Sequence, residues 1–414
     1  MGQGMNGKHI LLANVFFAPH SYGGATVVAE QVAWELVRNT GARVTAVSIM
    51  VDTSLVTYKV IKSETRGIVN YLINVPPARS YAEIYDNPQV AEIVAGLMDS
   101  LSPDLLHAHC IQDMGAGILG AAKARGIPVV LSVHDFWWLC DRQFMIKPDQ
   151  TYCGQDPVRI EACRSCVDNY SAAITRRGYL ADQGQKADLV TYPSRFALDL
   201  SEKSGFAPGK GVVWQNGVRL PGPGFFEAQK ARRAKNKTVT FGFLGGPSQI
   251  KGWPLMRRAF TQLKRKDFKL LLVDGSLDGT WWRGVDLDAL KGHYEIVPRF
   301  SQDEMDRFYA RVDVLLFLSQ WKETFGLAIR EAVARGIHVI QTDSGGTVEH
   351  DHFDPDALIP IGAGVDALLP PLETAFKLDF ASLDPGKVDS FEDQARHFAE
   401  LVEPLLTPGR AKAG

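Results

Sequence analysis

Apolar positions along this chain follow two alternating rhythms. Short, largely apolar runs, such as Ile10 to Phe17, 42–51, 268–275 and Val312 to Leu318, suit strands buried on both faces. Between them apolar residues recur at helical spacing, as in 21–41 and 390–406. Segment 9–19 predicts a strand and loop, 21–41 a Gly23-Gly24 loop and a helix stopped by Gly41, and 42–51 the next strand. This order opens a doubly wound parallel sheet. Segment 80–110 predicts a helix, a break at Pro103 and a strand carrying His107 and His109. Segment 118–140 predicts a helix stopped by Gly126 and a strand ending at His134-Asp135. Both histidine pairs then sit at strand carboxyl ends, where such folds build their sites.

The second half repeats the scheme. In 187–206 a strand leads to Ser194 as helix cap, and 211–218 is a short strand ending in the Asn216-Gly217 turn signal. Residues 220–237, rich in proline and glycine and then basic, read as an interdomain linker. Its run of Lys230, Arg232, Arg233, Lys235 and Lys237 reads as a solvated loop, with anionic membrane contact as the minority alternative. The pattern restarts in 238–263: a strand, a Gly245-Gly246 loop, Lys251-Gly252 and a helix. Strands follow at 268–275 and 294–300, and 390–406 is a terminal amphipathic helix with Phe391, Ala395, Phe398 and Leu401 on one face.

The densest stretch is 321–346. A helical pattern (Phe325, Leu327, Ala328, Ala332, Val333) ends at Gly336, and a strand, Ile337 to Ile340, precedes Gly345-Gly346. Glu323 and Glu331 bracket the helix start, and eight helical residues span about 12 Å. Carboxylates that far apart do not share one proton but can reach two parts of one long ligand. The helix start between them suits a phosphate. The plainer reading is a solvated helix face with a dipole-favouring acid. Lys251 could serve a diphosphate or simply lie in solvent.

Length changes the picture: 414 residues exceed one compact core and predict two domains. A net charge of −2, from 45 basic and 47 acidic residues, argues against a nucleic-acid partner. No apolar run is long enough to span a membrane, and the first residues lack a signal-peptide pattern, so a cytoplasmic location is expected, with the inner face of the cell membrane as the alternative. Four of the five cysteines, Cys140, Cys153, Cys163 and Cys166, cluster in a polar stretch, 140–166, poor in apolar residues. The closing Cys-x2-Cys fits half of a structural zinc knuckle; free thiols, redox pairs and an iron–sulfur cluster are the alternatives. A lone GxGxxG, Gly115 to Gly120, does not follow the first strand as a dinucleotide site would, and glycines easing helix–sheet packing account for it better.

Taken together, these residues resemble the family 4 retaining glycosyltransferases of GT-B architecture. The carriers are Glu323-x7-Glu331 within its flanking strands, Gly23-Gly24, the HAH and VHD strand ends, Asn216-Gly217-Val218 and the FLGG…KG loop. The cysteine insertion is similar to one in a bacterial subset of that family. The resemblance implies an α/β fold of two Rossmann-like doubly wound domains facing across a cleft. Residues 1–217 would form the acceptor-side domain, 218–389 the nucleotide-sugar domain, and 390–414 a helix returning to the first. It implies a nucleotide-diphosphate sugar donor, a glycan or lipid-linked acceptor, bacterial polysaccharide biosynthesis, and no catalytic metal. Glu323 would contact sugar hydroxyls, Glu331 the ribose, and Lys251 the diphosphate. Gly245, Gly246, Thr324, Phe325, Gly326, Gly345 and Gly346 would complete the donor site. Gly23 and Gly24 would lie against the phosphates, His134 near the anomeric carbon, and His109 and Asp135 on the acceptor side. The arginine expected in the first glycine loop is absent, and Arg299 or Arg330 is its candidate replacement. An epimerase of the same architecture and a non-catalytic metal-stabilised scaffold are the competing readings; an epimerase would alter a nucleotide sugar with no acceptor present.

Overall fold

The chain divides into two compact units: Met1–Phe144 with Gly154–Gly217 and Asp389–Gly414, and Met145–Cys153 with Val218–Val388. The computed structural model describes residues 5–236 and 238–407, so Lys237 of the basic run lies outside the described residues.

The first unit contains β1 (His9–Ala13), α1 (Gly24–Thr40), β2 (Arg43–Met50), β3 (Val60–Thr65), β4 (Ile68–Asn74), α2 (Pro88–Leu101), β5 (Leu105–Ala108), α3 (Gly117–Ala124), β6 (Val129–Ser132), α4 (Tyr170–Gly184), β7 (Leu189–Tyr192), α5 (Arg195–Lys203) and β8 (Gly211–Val213), with a last helix at Phe391–Leu406. The strands form one sheet in the order β3-β4-β2-β1-β5-β6-β7-β8. Only β3, antiparallel on β4, departs from parallel pairing. Strands β1, β5 and β6 are buried at every residue, so even their polar members, His9, His107 and Ser132, lie inside.

Several stop and start signals act as the sequence implies. Gly41 closes α1 in the left-handed region, and the Ser194 hydroxyl accepts from the Ala197 N–H at 3.1 Å. The helix expected early in 80–110 begins only at Pro88. Asn87 caps it by accepting from the Val90 N–H, and Pro88 fits the first turn because that turn needs no N–H there. The GxGxxG glycines admit helix-on-helix packing rather than helix-on-sheet. A Cβ at Gly117 would meet the Tyr179 hydroxyl of α4 at 3.2 Å, and one at Gly120 the Gln183 side chain at 3.1 Å. The last helix opens with a capping box between Ser390 and Asp393, buries Phe391, Ala395, Phe398 and Val402, and packs on α1.

The second unit contains α6 (Phe225–Lys235), β9 (Val239–Phe243), α7 (Trp253–Gln262), β10 (Phe268–Asp274), β11 (His293–Pro298), α8 (Met305–Tyr309), β12 (Val314–Phe317), α9 (Leu327–Val333), β13 (His338–Thr342), β14 (Leu358–Ile359) and α10 (Val365–Ala375). Its sheet, β11-β10-β9-β12-β13-β14, is parallel throughout. Here the reading of 220–237 as linker with a solvated basic loop is corrected. Most of the basic run lies on α6, and two of its cations converge on Asp313, which is buried just before β12. Arg232 donates to Asp313 Oδ2 at 3.0 Å and Arg233 to Oδ1 at 3.2 Å, while the Thr240 N–H donates to Oδ2 at 3.0 Å. A buried carboxylate needs such partners, so these arginines are held by the fold. No helix among the described residues is long and apolar enough to cross a membrane.

Candidate active site

Each sheet reverses its strand order once: between β1 and β5 in the first unit, and between β9 and β12 in the second. Ligand sites in open parallel sheets form at the strand carboxyl ends of such points.

In the second unit that point holds a cavity of about 190 Å³, lined by Phe243, Gly245, Lys251, Phe317, Ser319 and Ala328 among others. The Lys251 ammonium donates to Glu323 Oε1 at 2.6 Å, and the Ser319 hydroxyl donates to the same oxygen at 2.5 Å. Lys251 also lies 5.4 Å from the centroid of the Trp321 ring. The lysine and glutamate side chains are 34% and 14% exposed, so the pair is partly open to solvent. The Glu323 backbone is clipped to the Gly345-Gly346 loop: its N–H donates to the Ser344 carbonyl, and its carbonyl accepts from the Gly346 N–H, each at 2.9 Å. The Gly345 N–H donates to the Asp343 carbonyl. Those two N–H groups, expected to help hold a diphosphate, are thus taken by the Asp343 and Glu323 carbonyls.

The two glutamates do not share one helix. Gly326, at φ 83°, caps α9, which starts only at Leu327. A left-handed residue interrupts the helical path, so Glu323 lies in an extended segment bridged to Gly345, and the helical 12 Å span does not apply. Glu331 is on α9 but turned inward. The Tyr309 hydroxyl donates to it at 2.7 Å. Burial raises its carboxyl pKa, opposed by Tyr309 and Arg335. Arg330 is a strut rather than a replacement for the absent loop arginine. It is buried and donates to the carbonyls of Phe325, Gly346, Thr347 and Glu349. Its guanidinium lies 4.3 Å from the centroid of the Phe325 ring, which is buried, as is Thr324. Arg299 stands exposed after β11. Around the first glycine loop, a Cβ on Gly245 would meet Lys251, and one on Gly246 would meet Trp281.

In the first unit the reversal point is bound by Asn14, directly after β1. Its side-chain carbonyl accepts from the Cys110 N–H at 3.0 Å, and its amide donates to the Thr26 hydroxyl at 3.2 Å. Three imidazoles gather beside it. His107 Nε2 is 2.8 Å from the Ser132 hydroxyl, and His109 Nδ1 is 2.9 Å from His134 Nε2. Burial holds their pKa values down, to about 3 for His107, to about 4 for His134, and well below the ordinary value for His109. His109 and His107 are fully enclosed, and His134 is half-buried. Asp135 accepts from the Trp137 N–H at 2.8 Å and from Gln143 at 2.6 Å, and burial raises its pKa. Gly23, at φ 86°, caps α1, and Gly24 begins it.

Cys140 and Cys163 are buried, and Cys153 and Cys166 are half-buried. Cys163 Sγ contacts the Gln155 amide at 3.6 Å and the Arg159 carbonyl at 3.7 Å. Among the described residues, no group of three or more His, Cys, Asp or Glu side chains is gathered to hold a metal ion. Sequence reasoning missed Asn14, Ser319 and Tyr309. The first two carried a usable signal, Ser319 as the polar residue following an apolar strand run and Asn14 as the polar break within one. Tyr309 carried none.

Residues 22–220 match the family model described as Glycosyltransferase Family 4, and residues 225–350 match Glycosyl transferases group 1. An uncharacterized glycosyltransferase of Bacillus subtilis, YqgM, is 24% identical over 262 residues, which are 62% of this chain and 63% of that relative's length. The match therefore spans just under two thirds of the relative. Among solved structures, a glycosyltransferase from Rickettsia africae superposes with a TM-score of 0.64 at 17% identity, covering 98% of this chain and 100% of that one. HepE from Anabaena, in complex with UDP and glucose, gives 0.61 at 18% identity, covering 95% of both chains.

Proposed function

We propose that this chain, a glycosyltransferase of GT-B architecture, moves a sugar from a nucleotide-diphosphate donor to a hydroxyl of a glycan or lipid-linked acceptor with retention of anomeric configuration. The observation that carries the reading is the Lys251–Glu323–Ser319 cluster beside an open cavity at the β9/β12 reversal. The UDP and glucose bound to the Anabaena protein support a nucleotide-sugar donor.

In this reading Lys251 neutralises charge on the leaving diphosphate, and the first turn of α9 adds backbone N–H groups. Fixed donors aimed at developing charge supply the largest part of such catalysis. Glu323, held by Ser319 and its backbone bridge, accepts hydrogen bonds from sugar hydroxyls. Glu331, held by Tyr309, binds the ribose. Gly23-Gly24 and Asp135 keep the roles drawn from the resemblance, His109 stands enclosed behind His134 rather than against the acceptor, and Arg299 is the remaining substitute for the missing arginine. His134 contacts the sugar near the anomeric carbon. The acceptor attacks the face the diphosphate leaves, and that diphosphate takes the acceptor proton. No catalytic metal takes part. EDTA should therefore leave turnover intact, and a prompt loss rescued by magnesium would contradict this. Zinc on Cys140, Cys153, Cys163 and Cys166 is a separate proposal, resting on the Cys-x2-Cys spacing. Cys163→Ser should then remove about one metal per chain by elemental analysis, and unchanged metal content would end it. For the transfer itself the test is nucleoside diphosphate release in the presence of acceptor, with Glu323→Ala as the variant. Full activity in that variant removes Glu323 from the donor site.

A further inference from the structure

We propose that His109 is a positioning residue that fixes the neutral tautomer of His134, so that His134 meets the sugar as an Nδ1–H donor and not as a base. The inference rests on the placing of His134 at the sugar given above.

The argument is one of proton counting. His109 Nδ1 and His134 Nε2 are 2.9 Å apart. The two rings lie 14° from coplanar, with centroids 5.1 Å apart. With the nitrogens 2.9 Å apart, that centroid separation sets both nitrogens close to the line between the rings, as an in-line N–H···N bond between imidazoles requires. One nitrogen must donate and the other accept. Burial keeps both rings neutral, so each carries a single ring proton. His109 Nε2 decides which. It is buried and has no hydrogen-bond partner. With the proton there, the fold would hold an orphaned N–H and two facing lone pairs, or would force His134 to donate. With the proton on Nδ1, only a lone pair goes unshared, which is the smaller penalty. His109 Nδ1–H therefore donates, and His134 Nε2 accepts. The single proton of His134 must then sit on Nδ1.

His109 is itself held in place. The His107 ring packs on it with centroids 4.0 Å apart, and His107 stacks on Phe398 of the last helix at 4.3 Å and 17°. His107 Nε2 meets Ser132, whose hydroxyl meets that of Thr191 at 2.7 Å. No ionised side chain takes part in this chain of contacts. For His134 to act as a base at Nδ1, both rings would have to change tautomer together and leave a buried N–H without an acceptor. The arrangement favours a donor to a sugar oxygen, with its direction set from behind by His109.

The test uses the full chain labelled with ¹⁵N-histidine. Long-range ¹H–¹⁵N correlation should show His134 protonated at Nδ1 in the wild type, and a shift toward Nε2–H in His109→Phe, which keeps a ring but removes the donor. In the same variant kcat should fall about tenfold, the worth of one hydrogen bond, with the donor KM within about twofold. His109→Asn restores an N–H near the Nδ1 position and should recover most of kcat. Wild-type His134 protonated at Nε2 overturns the proposal whatever the kinetics. A folded His109→Phe with full kcat, beside an inactive His134→Ala, also overturns it. A fully active His134→Ala instead sinks the underlying placement of His134. Should His109→Phe fail to fold, the wild-type spectrum and His109→Asn still decide.

Discussion

The two reversal points differ in what they hold. At β1/β5 the fold gathers neutral groups: Asn14, and three enclosed or half-enclosed imidazoles bonded to one another or to a serine–threonine pair. At β9/β12 it gathers opposite charges, Lys251 and Glu323, beside a cavity. Burial makes the difference intelligible. Enclosed imidazoles shed their charge, whereas the Lys251 ammonium and the Glu323 carboxylate stay partly exposed and pair. The same sheet geometry thus gathers neutral hydrogen-bonding groups in one unit and an ion pair beside a cavity in the other.

The largest expected effect lies on the charged side. Glu323→Ala should lower kcat roughly a hundredfold or more, while thermal unfolding stays close to wild type because the ion pair is partly solvated. A large fall in Tm with normal activity would reverse that assignment. Next comes Asp313→Asn, which strips two arginines of their shared counter-charge. It should destabilise the second unit by about 3 kcal/mol in urea unfolding, and a change near zero would mean that the arginines are solvated after all. The neutral side should show in acid. The histidine pKa values lie below the ordinary 6.5, so the unfolded chain binds protons first as pH falls. Stability is full above pH 6.5 and is lost on going down, at about 1.4 kcal/mol per pH unit for each histidine. The loss ends near pH 4 for His134 and near pH 3 for His107. Denaturant unfolding at pH 7 and pH 5 measures this, and His107→Gln should remove one histidine's share of the slope. The smallest effect is Gly23→Ala. Its φ of 86° and ψ of 159° lie in a region nearly reserved for glycine, but nothing stands within 4 Å of the new methyl, so about 2 kcal/mol is expected. Gly252→Ala, with Leu318 O at 2.1 Å from the built Cβ, should exceed it clearly.

The fold class was legible because parallel strands buried on both faces announce themselves as apolar runs, and because Gly41 and Ser194 mark helix ends through purely local geometry. What escaped was set by distant partners or by one residue's backbone. Arg232 and Arg233 look like solvent-loving charges until Asp313, far along the chain, is known to lie beneath them. The α9 start moved because Gly326 adopts a left-handed conformation that spacing does not reveal. The hairpin β3–β4 and helices α4 and α10 gave no pattern strong enough to be read. In the candidate site, sequence supplied the residue types at strand ends, but not that Lys251 and Glu323 bind each other, nor that His109 faces His134.

The last helix has a consequence for synthesis. Phe391–Leu406 covers α1 and sets Phe398 over His107, yet its codons are translated only after the entire second sheet. The unit whose amino end leaves the ribosome first is therefore closed last. A nascent chain must carry an open flank through most of its elongation, so chaperone dependence should centre on that interval and vanish once Leu406 has emerged.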